Sequence, residues 1–179
     1  LGNQFLANIR ETDAIIYVLR CFEDDDITHV SGKVDPIADL AVVETELMLA
    51  DLESLEKRKV NWVKKANSGE KEAKAQVALI DKALAELNEG RPARRADVDE
   101  EERKAWNMLQ LLTAKPVLYV ANVDEESAAD GNDYSQRVLD YAAEEGAQAV
   151  VISAQIEAEI SQLEDEEQTE FLETLGLEE

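Results

Sequence analysis

Asn122, Asp124 and Glu125 close an apolar run, Pro116-Val-Leu-Tyr-Val-Ala-Asn-Val-Asp-Glu125. An amide offers both a donor and an acceptor while a carboxylate only accepts, so together they can read the edge of a planar heterocycle. A second apolar run, Ala149-Val-Val-Ile-Ser-Ala154, also ends in a polar residue, Ser153. Two successive strands that deliver polar residues at their C-terminal ends build the ligand crevice of an open α/β sheet. His29 is the single histidine, on a polar stretch after an earlier apolar run, and an imidazole there could orient or deprotonate water near neutral pH. Asp24, Asp25 and Asp26 invite a metal reading, but consecutive residues do not converge on one ion, and a solvated loop without metal is expected. Cys21 has no partner cysteine and lies in an apolar run, as a buried structural thiol in a reducing compartment would.

The elements that must position these groups follow from periodicity. Leu1 to Arg10 reads as a short helix with Phe5, Leu6 and Ile9 on one face. Ala14 to Phe22 is near-continuously apolar and rich in β-branched and aromatic residues, the pattern of a strand buried on both faces of a parallel sheet. Asp35 and Pro36 supply an N-cap and a first helical position. Leu40, Val43, Leu47 and Ala50 then recur at helical spacing, with Leu55 and Trp62 continuing the stripe. After the Asn67–Glu70 break, Ala73, Val77, Ile80, Leu84 and Leu87 form a matching seam, so the two segments make an antiparallel helical hairpin. A further helix is expected over Asp99 to Leu112, with Trp106 turned inward for packing. Pro116–Val123 is the next strand, Asn132–Glu145 a helix ended by Gly146, and Gln148–Ser153 a third strand. Short acidic helices over Ile156–Leu163 and Glu166–Leu175 close the chain. The fold class is α/β: a parallel sheet flanked by helices, with an inserted helical coiled-coil arm. The expected boundaries are 1–34, 35–112 for the arm, and 113–179. The chain opens at Leu1 inside a helix-like segment, as a piece of a longer protein would.

Charge is unevenly spread. The net charge of −23 argues against a generic nucleic-acid-binding surface and against DNA as a partner. Yet Lys57 to Arg95 holds eleven Lys/Arg against five Asp/Glu, while the tail from Gln155 to Glu179 has ten acidic residues and no basic one. Lys57, Lys64, Lys65 and Lys71 on the distal arm are the candidate contact for a partner or RNA. No run of 18 apolar residues is present, so no membrane span is expected.

A G domain reads guanine through Asn-Lys-x-Asp, where the carboxylate takes two guanine donors. Here the pattern is Asn122-Val123-Asp124-Glu125, with Val in the Lys position and a carboxylate one methylene longer. Guanine preference should be lost, and Asn122 could pair with the N6/N7 edge of adenine. The Ser153–Ala154 pair matches the residues that G domains place beside the base. Longer stretches carry a specific resemblance: Leu1-Gly-Asn-Gln-Phe-Leu, Ile9-Arg-Glu-Thr-Asp-Ala-Ile-Ile, Thr28-His-Val-Ser-Gly, Glu46-Leu-Met-Leu-Ala-Asp-Leu-Glu and Leu111-Leu-Thr-Ala-Lys-Pro-Val-Leu-Tyr-Val-Ala-Asn-Val-Asp-Glu. Over essentially its whole length the chain resembles the YchF group of Obg-like ATPases. The resemblance implies a G domain interrupted by a coiled-coil arm, ATP preferred over GTP, Mg²⁺ as companion ion, cytoplasmic location and association with the ribosome. It implies base contacts from Asn122, Val123 (mainly backbone) and Glu125, supported by Ser153 and Ala154, and a water-positioning role for His29.

One part of that pattern is missing from these residues. No G-x-x-x-x-G-K-[ST] occurs, and the one Gly-Lys pair, Gly32-Lys33, is followed by Val34. Without the phosphate cradle the chain by itself should bind nucleotide weakly and hydrolyse none. The rival expectation is a non-enzymatic module in which the helical hairpin binds a protein or RNA and the α/β part is a platform.

Overall fold

The computed structural model describes residues 2–24 and 33–177. The chain divides into two compact units, Leu1–Ile15 with Ala41–Pro116, and Ile16–Leu40 with Val117–Glu179.

The first unit is helical. α1 spans Asn3–Arg10, and α2 spans Pro36–Asn67, 32 residues of which the first few belong to the second unit. At ~1.5 Å per residue α2 is about 48 Å long. Asp35 starts it as expected: its Oδ1 accepts the Ala38 amide at 3.1 Å. A turn through Gly69, at φ 97°, reverses the chain into α3, Lys71–Asn88. Leu55 of α2 is fully buried with Leu79, Ile80, Ala83, Leu84 and Leu87 of α3, so the two seams close on each other. The third wall of this core is Trp106, Leu109 and Leu111. The single helix expected over Asp99–Leu112 is instead broken into a 3₁₀ turn at Glu100–Glu102, α4 at Arg103–Asn107, and a 3₁₀ turn at Leu112–Ala114. The break falls at Gln110, whose φ of 51° no α-helix can contain.

Polar groups inside this unit are matched internally. Asp51, fully buried, accepts from the amides of Leu112 and Thr113 and from Thr113 Oγ1, each at 2.8 Å. Thr113 Oγ1 accepts in turn from the Ala93 amide, and Arg94 pairs with buried Glu44. These bonds fix the connecting segments against α2.

The second unit is α/β. β1 is Ile15–Arg20, β2 Val117–Asn122, α5 Asp133–Glu144, β3 Gln148–Ile152, α6 Ala154–Ile160 and α7 Asp165–Leu175. The sheet order is β1-β2-β3. β2 and β3 are parallel, with Leu118 opposite Gln148 and Asn122 opposite Ile152. The bonds Ile15 N to Pro116 O and Cys21 N to Asn122 O advance together along β1 and β2, which makes that pair parallel too. α5 covers one face of the sheet: Tyr141 meets Tyr119 edge-on, and Tyr119 stacks on Tyr17 at 5.6 Å. The other face differs from expectation. Tyr17 and Leu19 are buried, but Ile16 and Val18 are 61% and 63% exposed, so β1 is buried on one face only. Alternate residues point to opposite faces, and no described residue covers the Ile16/Val18 side. No helix among the described residues is long and apolar enough to cross a membrane.

Candidate functional site at the strand ends

The C-terminal ends of β1, β2 and β3 converge on a short set of polar residues. Asn122, the last residue of β2, reaches across to the start of α6, where its Oδ1 accepts the Ala154 amide at 2.9 Å. That bond fixes which way the amide faces, oxygen toward α6 and nitrogen outward. Nδ2 has no partner among the described residues, and neither does the Glu125 carboxylate. The site therefore presents one oriented donor and, three residues on, one acceptor-only group.

The intervening residues are structural. Val123 is buried at its side chain, and its amide donates to Ile152 O at 2.8 Å, so neither is open to a ligand. Asp124 turns back on its own loop, its Oδ1 accepting the Ser127 amide at 3.1 Å. Ser153 is buried and caps α6, its hydroxyl accepting the Ile156 amide. A cap costs about 1 kcal/mol when removed, and the placement of Ala154 N against Asn122 depends on it. The structure thus brings Asn122, Glu125, Ser153 and Ala154 to one end of the sheet.

Asn132 is the residue that periodicity alone did not expose as part of this site. It caps α5 by accepting the Ser135 amide at 2.9 Å, while its Nδ2 donates to Cys21 O at 2.7 Å and ties the end of β1 to the start of α5. Gly131 precedes it at φ 72°, and a Cβ there would lie 2.8 Å from Ser135 Oγ, so glycine is required. A Gly-Asn-Asp run before a helix signals the cap, but not the bond to β1. Cys21 itself is fully buried and its thiol is pushed up to about 11 by burial, which suits a packing role. Beyond it Tyr134 donates to Glu23 Oε1 at 2.6 Å, which raises the phenol above its ordinary range.

His29 lies outside the described residues, as do Asp25 and Asp26. No group of three His, Cys, Asp or Glu among the described residues could hold a metal ion. On the arm, Lys64 and Lys65 end α2 and Lys71 begins α3, all exposed. Lys65 lies over the Trp62 ring at 5.0 Å. Lys57, two turns back, is ion-paired to Glu53 at 2.6 Å.

No protein-family model matches the chain. A ribosome-binding ATPase YchF of Haemophilus influenzae is 49% identical over 179 residues, all of this chain and 49% of that protein. The protein of the same name from Bacillus subtilis is 47% identical over 181 residues and half of its length. A solved structure, the YchF GTPase of Schizosaccharomyces pombe, superposes with a TM-score of 0.87 at 35% identity, covering 99% of this chain and 50% of that one. The chain spans about half the length of the curated relatives it matches.

Proposed function

Since the chain belongs to the YchF group of Obg-like ATPases, we propose that it forms the base-reading part and the arm of a ribosome-associated enzyme that hydrolyses ATP in preference to GTP. The observation that carries this reading is the oriented Asn122 amide. Its Nδ2 is a donor for purine N7, which adenine and guanine share, so it places the base without choosing between them. The choice falls to the acceptor three residues on. Glu125 accepts the exocyclic amine of adenine, whereas guanine presents O6, an acceptor, on the same edge. Val123 contributes backbone only. Asn132 and Ser153 hold the strand ends in place. Phosphates and Mg²⁺ need groups outside these residues, so the 179-residue chain alone is proposed to bind ATP weakly and to turn none over. Lys64, Lys65 and Lys71, with Lys57 behind them, are the proposed ribosome contact, and His29 the proposed water-positioning residue. The proposed location is the cytoplasm.

A version extended upstream to include a phosphate-binding loop should bind ATP saturably and more tightly than GTP. Asn122→Ala should weaken both nucleotides, while Glu125→Ala should weaken ATP more than GTP. Unselective binding in the parent, or none, would sink the reading. For the arm, Lys64→Glu, Lys65→Glu and Lys71→Glu together should abolish salt-sensitive co-sedimentation with ribosomes. Intact co-sedimentation would remove the basic tip from the proposal.

A further inference from the structure

A concavity of the helical unit lies away from the strand ends, bounded by the end of α1, α4 and the segment leading into β2. We propose that it is a binding site for a small phosphate-bearing anion, with pyrophosphate as the simplest occupant.

Its volume of about 550 Å³ is that of a small-molecule site. Arg10, Arg103 and Lys115 line it, with Trp106, Asn107 and Gln110. These three cations gather on one concavity in a chain of net charge −23. Lys57, Lys59, Lys82, Arg91 and Arg94 each pair with a carboxylate. Arg10, Arg103 and Lys115 form no ion pair with any described residue. They are held by backbone carbonyls instead: Arg10 Nη1 donates to Gln110 O at 3.2 Å, Arg103 Nη2 to Val98 O at 3.1 Å, and Lys115 Nζ to Arg10 O at 3.1 Å and to Thr12 O. A carbonyl orients a cation without neutralising it, so the charge stays available. Glu11 and Asp13, the two carboxylates of the lining, are exposed and pair with none of the three.

Gln110 adds an independent mark. It is the non-glycine residue with positive φ among the described residues, at 51°. Such conformations are strained and concentrate at ligand sites. Here the strain brings the Gln110 carbonyl to Arg10 and opens the chain between α4 and the Leu112–Ala114 turn. Two guanidinium forks and an ammonium match the several oxygens of a phosphate better than the two of a carboxylate. Trp106, 3% exposed, contributes the apolar wall. The proposal does not rest on the nucleotide reading of the strand ends, which shares none of these residues.

Trp62→Phe leaves Trp106 as the only tryptophan, so its fluorescence reports the cavity. Titration of that variant with inorganic pyrophosphate should give a saturable change. Arg103→Glu should weaken it about tenfold or more, with Arg103→Gln showing the same direction should the reversal unfold the chain. Lys104→Glu changes the same net charge on an exposed neighbour outside the lining and should alter affinity by less than about twofold. ATP competing with pyrophosphate equally in parent and Asn122→Ala would make a nucleotide one source of the phosphate; failure to compete would leave the free anion as the source. Absence of saturation, an equal loss in Lys104→Glu, or binding of an RNA oligomer without binding of pyrophosphate would overturn the proposal.

Discussion

The α2 wall of the helical unit and the strand ends of the α/β unit handle their polar groups in opposite ways. In the helical unit every buried polar side chain of the α2 wall is consumed by its neighbours: Asp51 by three donors around Leu112 and Thr113, Glu44 by Arg94. At the strand ends, Asn122 and Glu125 keep hydrogen-bonding capacity that no described residue takes up. The apolar surfaces contrast as well. The arm's seam closes on itself, whereas the sheet leaves Ile16, Val18 and Val150 exposed. A group whose capacity is spent holds the fold, and one whose capacity is unspent is available to a ligand. By that criterion the latch around Asp51 is architecture and the strand ends are the site.

The largest expected effect of breaking this contrast is in the latch. Asp51→Ala would strand two amides and a hydroxyl in the interior, costing about 3–5 kcal/mol in urea unfolding. Burial also raises the Asp51 carboxyl above its ordinary range, against the bonds from Thr113 and Leu112 that lower it. A raised folded pKa means that the protonated form is favoured in the fold. The contribution is complete below the unfolded value of about 4 and declines as pH rises through the folded one. The stability gap between parent and Asp51→Asn should therefore narrow from pH 4 upward. A widening gap would mean that the three donors outweigh burial.

Next in size is the sheet. Leu19→Ala should cost about 2–4 kcal/mol and Ile16→Ser, on the uncovered side, less than about 0.5 kcal/mol. Equal costs in thermal unfolding would show that both faces are packed. Gly131→Ala should cost about 1–3 kcal/mol, from positive φ and from the contact with Ser135 Oγ. Because it disturbs the cap that Asn132 makes, it should also lower nucleotide affinity in the extended protein.

Much of this organisation was readable from residues, for physical reasons that differ by element. The hairpin seam and the strand–helix–strand order follow from apolar period, because both seams and both strands bury one periodic set of side chains. Asp35 announced the start of α2 through capping chemistry. The helix expected over Asp99–Leu112 failed because apolar spacing carries no information about a positive φ at Gln110. β1 looked buried on both faces because a continuous apolar run does not say what covers it. Asn122 and Glu125 were legible as candidates, but the Asn122–Ala154 bond was not, since it joins residues 32 apart. Asp51 had a visible signal, a carboxylate in the buried stripe between Leu47 and Leu55, whose partner lay too far along the chain to name.

Cys21 offers the smallest and sharpest comparison, because its thiol is spent in the core while its backbone holds the strand ends. Its side chain is buried, while its carbonyl accepts from Asn132 and its amide donates to Asn122 O. With the thiol pushed up to about 11, the thiolate fraction at pH 8 is on the order of 10⁻³. Alkylation by iodoacetamide at that pH should therefore be slow and should track opening of the α/β unit. Asn132→Ala removes the bond that ties the end of β1 to α5, so it should accelerate labelling with little change in global stability, about 1 kcal/mol. Asp51→Ala, in the helical unit, should accelerate it only as far as it promotes global unfolding. Labelling that responds equally to both at matched stability would mean that the units open together, and the division between a spent scaffold and an available site would have to be drawn elsewhere.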